Sequence, residues 1–120
     1  VDAVTEPTKL SEAHELVAWL ERAIQVTRLT ALALERAGET TTREIAGVPV
    51  TSLTPRVLLD GTAADAAILW NHRVVNGRCH ACAAEVNGQW RRVVAPCWTL
   101  RFLATRYRHV IDGWRSEWSG

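Results

Sequence analysis

The sequence predicts a mainly α-helical domain with about three helices and a small β-hairpin near its C-terminus. Three observations carry this. Apolar residues recur at helical spacing over roughly residues 11–37, 54–76 and 98–114. An Asn-Gly dipeptide, Asn87-Gly88, separates two short strand-like runs. Finally, 120 residues with 48% hydrophobic and 22% charged content fit one domain, 1–120, which on folding buries about two-thirds of its unfolded surface.

After a polar tail over residues 1–10, Ser11 reads as an N-cap, with Glu12 and Glu15 where the helix dipole favours anions and Gly38 as the C-terminal stop. Leu16, Leu20, Ala23, Ile24, Ala31 and Leu34 form one stripe of this first helix. Trp19, Val26, Leu29 and Ala33 widen it beyond a single face, as expected for a helix packed on two sides, in a helical hairpin or a homodimer seam. Residues 38–53 read as a connector with at most one short edge strand, because Gly47 and Pro49 interrupt its apolar run. Thr54-Pro55 is a helix start, and the second helix is expected to run toward Val75, with a break at Asp60-Gly61 and an end at Asn76-Gly77. Val57, Leu58, Ala64, Ile68 and Leu69 are its expected inward residues. Pro96-Cys97 opens the final helix, whose stripe is Leu100, Leu103, Tyr107, Val110, Ile111 and Trp114, with Arg101, Arg108 and Arg115 seven apart on another face.

The chemistry concentrates in residues 72–97. Cys79 and Cys82 have the two-residue spacing of a knuckle that presents two thiolates to one tetrahedral metal ion, and Cys97 follows at a helix start, where backbone N–H groups favour a thiolate. The order knuckle, hairpin, helix is that of treble-clef-like zinc modules. One structural zinc is therefore expected, with iron as the competing ion. His72 is the expected fourth ligand, ahead of His80 inside the knuckle, His109 about three turns past Cys97, and distant His14. The competing readings of the cysteines fit less well. An odd count of three leaves one unpaired in any disulfide scheme. A thiol-redox pair requires a strand-to-helix context, whereas this pair leads into a hairpin. Haem attachment requires His directly after the second Cys, and residue 83 is Ala.

No catalytic constellation accompanies the cysteines. The His-x-Glu signature of zinc deaminases, a Ser elbow and a Gly-rich phosphate loop are all absent from the sequence. The expectation is a non-enzymatic module with a closed structural metal site and no small-molecule substrate. No apolar run approaches the roughly 18 residues of a membrane-spanning helix. Residues 1–8 lack the pattern of a secretory signal, so a cytoplasmic location is expected.

Two partner classes follow from charge and apolar patterning. The net charge of +1 hides an asymmetry: residues 1–65 carry six basic and ten acidic groups, and residues 66–120 carry eight and three. The wide first helix favours a protein partner or self-association. Nucleic acid is the alternative, held by Arg73, Arg78, Arg91, Arg92, Arg101 and Arg108, with Trp90 available to stack on a base. Of the six tryptophans, Trp19, Trp70 and Trp114 are expected in the core, Trp90 and Trp98 beside the metal segment, and Trp118 exposed.

Leu16 to Leu20, the Val57–His72 helix ending in His, the cysteine pair, and the run Pro96-Cys97-Trp98-Thr99-Leu100-Arg101-Phe102-Leu103-Ala104 through Tyr107 to Arg115, Glu117 and Trp118 resemble a group of uncharacterised small actinobacterial and actinophage proteins. The resemblance spans most of the chain. It implies His72 as a ligand beside the three cysteines and carries no activity. Trp98 stands where the group usually has Pro, the Tyr107–Trp118 stretch is one residue longer, and the group's His in that stretch is matched only approximately by His109.

Overall fold

A computed structural model describes residues 5–37, 43–45, 48–50 and 55–119, with side chains described for 12–37 and 55–119. Three α-helices and two small antiparallel sheets make up the fold: α1 (Thr5–Ala37), β1 (Arg43–Ile45), β2 (Val48–Val50), α2 (Pro55–Asn71), β3 (Val74–Val75), β4 (Arg78–Val86), β5 (Gln89–Val94) and α3 (Trp98–Arg106), followed by a short 3₁₀ helix, Ser116–Ser119. At 1.5 Å per residue α1 spans about 50 Å, which accounts for the 54 Å long axis of the molecule.

Helix α1 starts before Ser11, so that residue lies within the helix and does not cap it; Gly38 is outside the described residues. Leu16, Leu20, Ala23, Ile24 and Ala31 are buried, as their spacing requires. Only part of the wider stripe is covered. Trp19 is buried, while Val26 and Leu29 remain 39% and 54% exposed and Ala33 is also exposed. The reason lies in the packing: α2 lies along α1, while α3 and the 3₁₀ helix pack together and supply Leu100, Leu103, Tyr107 and Trp118 to the cluster around Leu16, Trp19 and Leu20.

Helix α2 is continuous through Asp60-Gly61 and buries Thr62, Asp65 and Leu69 at helical spacing; Ile68 packs against the core, whereas Val57 and Ala64 face out. It ends at Asn71. Asn76-Gly77 is not its stop signal but the turn between β3 and β4, with φ of 52° and 75°. Two successive positive φ values define the type I′ turn that Asn-Gly favours, and Asn87-Gly88 repeats it between β4 and β5 at 53° and 79°. The expected hairpin is therefore a three-stranded sheet, β3-β4-β5. In the connector, β1 and β2 pair with one another (Arg43 with Val50, Ile45 with Val48) in place of a single edge strand.

Helix α3 buries Leu100, Leu103 and Ala104 and closes on Tyr107. It stops at Arg106, so Arg108 and Arg115 do not continue one face with Arg101, and Val110, Ile111 and Trp114 reach the core from the turns that follow. Gly113 makes that path possible: its φ is 103°, and a Cβ there would lie 3.2 Å from the Trp19 ring. The Trp19 Nε1–H donates to the Asp112 carbonyl at 2.9 Å on the same turn. Gly113→Ala is expected to destabilise the fold by about 1–3 kcal/mol, read as a lowered denaturant midpoint with unchanged slope.

Trp118, expected at the surface, is 1% exposed and stacks obliquely on Trp19 with ring centroids 5.6 Å apart. The 3₁₀ helix turns it inward, and Arg101, donating to the Pro96 and Glu117 carbonyls at 3.2 and 3.1 Å, fastens that segment to α3. Trp70 reverses the other way and is 65% exposed. A second tie joins α2 to the end of α3: the Tyr107 hydroxyl donates to buried Asp65, which also lies 3.5 Å from the Arg106 guanidinium. Burial, reinforced by the Asp65 carboxylate, holds the Tyr107 hydroxyl well above the usual phenol range.

Candidate metal centre

Four side chains from three elements converge at one end of the core. His72 follows the last residue of α2, its N–H still bonded to the Ile68 carbonyl at 3.0 Å, so the helix terminus aims the imidazole. Cys79 and Cys82 come from β4. There the pairing with β5 advances five residues, from Arg78 to Ala83, while β5 advances only two, from Val94 to Arg92. The three surplus residues are the knuckle, looped out of an otherwise regular ladder. Cys97 is the N-cap residue of α3 and follows the cis Ala95-Pro96 peptide.

The His72 Nδ1 lies 3.3 Å from Cys79 Sγ, 3.3 Å from Cys82 Sγ and 3.5 Å from Cys97 Sγ. All four donor atoms fall within 4.8 Å of one another. One ring nitrogen carries at most one proton, so it cannot donate to three sulfurs at once. The cluster is not a hydrogen-bonding arrangement, but it has the dimensions of a coordination shell. Zinc bonds of about 2.3 Å to sulfur and 2.0–2.1 Å to nitrogen, at tetrahedral angles, put N and S about 3.6 Å apart and two sulfurs about 3.8 Å apart. The residues present therefore fit a tetrahedral metal ion of the borderline-soft class.

Local electrostatics agree with that use. Burial raises the Cys79 thiol, but the N–H groups of Ala81 and Cys82 within the knuckle, together with the neighbouring Cys82 and Cys97 side chains, outweigh it and bring the net shift down. Cys82 is pushed up to about 12 by burial first and then by its two sulfur neighbours. Cys97 is raised by burial, opposed by the nearby Leu100 N–H of the first turn of α3, which stops short of a formed capping bond. Three thiolates packed this closely repel one another, and only a cation at their centre lets all of them ionise together. Cys79 and Cys97 are buried and His72 and Cys82 partly so, which limits solvent access to the donors.

Of the other histidines, His80 turns away from the sulfurs and meets Arg73, with Nη2 3.4 Å from its Nε2; the Arg73 charge in particular lowers its proton affinity. His14 and His109 are exposed and stand outside the cluster. Trp90 and Trp98, expected beside the metal segment, are exposed.

Among the arginines named from sequence, Arg101 is spent on the carbonyls of Pro96 and Glu117, and Arg108 bonds the Thr105 carbonyl at 3.2 Å. Arg73, Arg78 and Arg92 gather on the sheet side of the centre. Arg91 points away from Arg92 along β5 and reaches Gln89 at 3.4 Å. Asp65, buried under Tyr107, was not legible as a special residue because nothing in its local sequence marks a long-range partner. No helix among the described residues is long and apolar enough to cross a membrane. No protein-family model, curated protein or solved structure matches the chain.

Proposed function

We propose that this protein is a non-enzymatic, zinc-stapled binding module in which His72, Cys79, Cys82 and Cys97 hold one structural zinc ion. The convergence of three sulfurs on one imidazole nitrogen at 3.3–3.5 Å carries the reading. Four protein donors fill a tetrahedral shell and leave no open position for a substrate or an activated water, which is the arrangement of structural and not catalytic zinc. The bound ion would link the end of α2, the sheet and the start of α3, and the Asp65–Tyr107 hydrogen bond joins α2 to the other end of α3.

The treble-clef-like description belongs to this proposal, since knuckle, hairpin and α3 follow one another in that order. Membership in the small actinobacterial and actinophage group is also part of it, supported by the coincidence of that group's helix-end His with His72. A role through protein or self-contact draws on Val26 and Leu29, which α1 leaves uncovered.

Cobalt substitution tests the site. Cobalt(II) added to the reduced, metal-free chain is expected to give intense tetrahedral d–d absorption with thiolate-to-cobalt charge transfer at one equivalent, bleached by zinc. Weak octahedral absorption without charge transfer would sink the four-donor reading.

A further inference from the structure

A second constellation lies beside the metal centre and has no part in holding it. Trp70, at the end of α2, is 65% exposed, and the Arg73 guanidinium lies over its ring at 4.3 Å. Arg73 also donates to the Trp70 carbonyl at 3.1 Å and reaches the His80 ring. From the other side Arg92 donates to the His80 carbonyl, and Arg78 donates to the Arg92 carbonyl at 2.7 Å. Alternation along β5 places Trp90, 73% exposed, on the same face as Arg92.

The Arg73 and Arg92 guanidiniums thus meet at His80, Arg78 is held on the Arg92 carbonyl, and the group is flanked by exposed Trp90 and by the face of Trp70 that Arg73 leaves free. None of the three forms an ion pair among the described residues, whereas Arg106 and Arg115 of the same half do, with Asp65 and Glu15. Glu85, opposite Trp90 in the register, is the one acidic residue of the three-stranded sheet. The backbone bonds made by Arg73, Arg78 and Arg92 fix where their charge sits while leaving guanidinium edges turned to solvent. That is the behaviour of a preorganised anion-binding surface, in contrast with the Arg–carboxylate pairs elsewhere in the molecule.

We infer that this face binds a single strand of nucleic acid, with Arg73, Arg78 and Arg92 on the phosphates and Trp90 and Trp70 stacked on bases. Charge complementarity selects a polyanion. The exposed indoles select one whose base faces are free, which a duplex does not offer. Phosphate charge and base faces are common to DNA and RNA, and they are the chemistry this surface recognises. The inference goes beyond the zinc reading, because none of these five side chains is a proposed ligand.

The test is fluorescence anisotropy of a labelled oligothymidine of about 15 nucleotides, titrated with the metal-loaded full chain across a salt series. Three phosphate contacts on a single strand predict a slope of log K against log salt of about −2. The Arg73→Gln/Arg92→Gln double variant is expected to reduce that slope to about −0.7. Trp90→Ala should weaken binding about tenfold and leave the slope unchanged. All variants should retain the wild-type metal content and melting curve, which separates a failure here from a failure of the metal site. No binding at low salt would overturn the proposal. So would equally tight binding of duplex DNA or polyglutamate with no effect of Trp90→Ala, which would mark bare attraction to any polyanion.

Discussion

Stripping the metal with a strong chelator, or replacing Cys97 by Ser, is expected to abolish cooperative thermal unfolding and collapse the near-ultraviolet tryptophan signal. Structural zinc contributes on the order of 10 kcal/mol in small modules, comparable with the whole stability of a typical domain. In this chain the loss has a particular route. Without the cation, Cys79, Cys82 and Cys97 are three crowded thiols beside an imidazole, and the N-terminus of α3 loses its attachment to β4 and α2. Leu100, Leu103 and Ala104 are then no longer held against Leu16 and Leu20. His72→Ala removes one neutral ligand and is expected to be milder, weakening zinc retention against a chelator while leaving some cooperative folding at excess zinc. A Cys97→Ser variant that melts like the parent would show that the core stands without the staple.

Trp118→Ala is expected to cost about 3–5 kcal/mol, the range for truncating a large buried aromatic. In a domain of this size that lowers the melting midpoint by roughly 10–20 °C. The side chain is fully buried against Trp19, with the Arg115 guanidinium 5.8 Å from its ring. Its Nε1 has no hydrogen-bond partner among the described residues, so Trp118→Phe, which keeps an aromatic ring and discards an unpaired N–H, should cost far less than Ala. Equal losses for Phe and Ala would mean that the indole nitrogen finds a partner after all, such as an ordered water. Calorimetry on the two variants at one pH and metal load provides the comparison.

The position of Trp118 illustrates what a sequence does not carry. Trp118 falls four residues after Trp114, but Gly113 and the polar run Arg115-Ser116-Glu117 interrupt the helical pattern before it, so spacing alone does not declare its buried face. Its burial depends on the turn at Gly113 and on Arg101 reaching across to Glu117. Asn76-Gly77 failed for a different reason. The same dipeptide that ends a helix also makes a type I′ hairpin, and the apolar pair Val74-Val75 is too short for its period to distinguish the two. The expected second helix therefore runs past Asn71 into residues that the structure uses for β3.

The three-helix outline was legible because its stripes are long. So was the donor set, since Cys-x-x-Cys, a third Cys at a helix start and a His at a helix end each have a local signature, and the structure brings these four together. The widened stripe of α1 misled in part, because a sequence cannot say how far along a helix its partners extend: Trp19 meets Trp118, and Val26 and Leu29 lie beyond that cover.

The measurement that bears most directly on the central claim is the native mass of the reduced, unchelated chain, paired with elemental analysis of the same sample. The coordination reading predicts a mass raised by one zinc ion per chain, lost together with the tryptophan near-ultraviolet signal when the sample is acidified. A chain purified under reducing conditions that carries no metal, takes up none at one equivalent of zinc, and still unfolds cooperatively would contradict it.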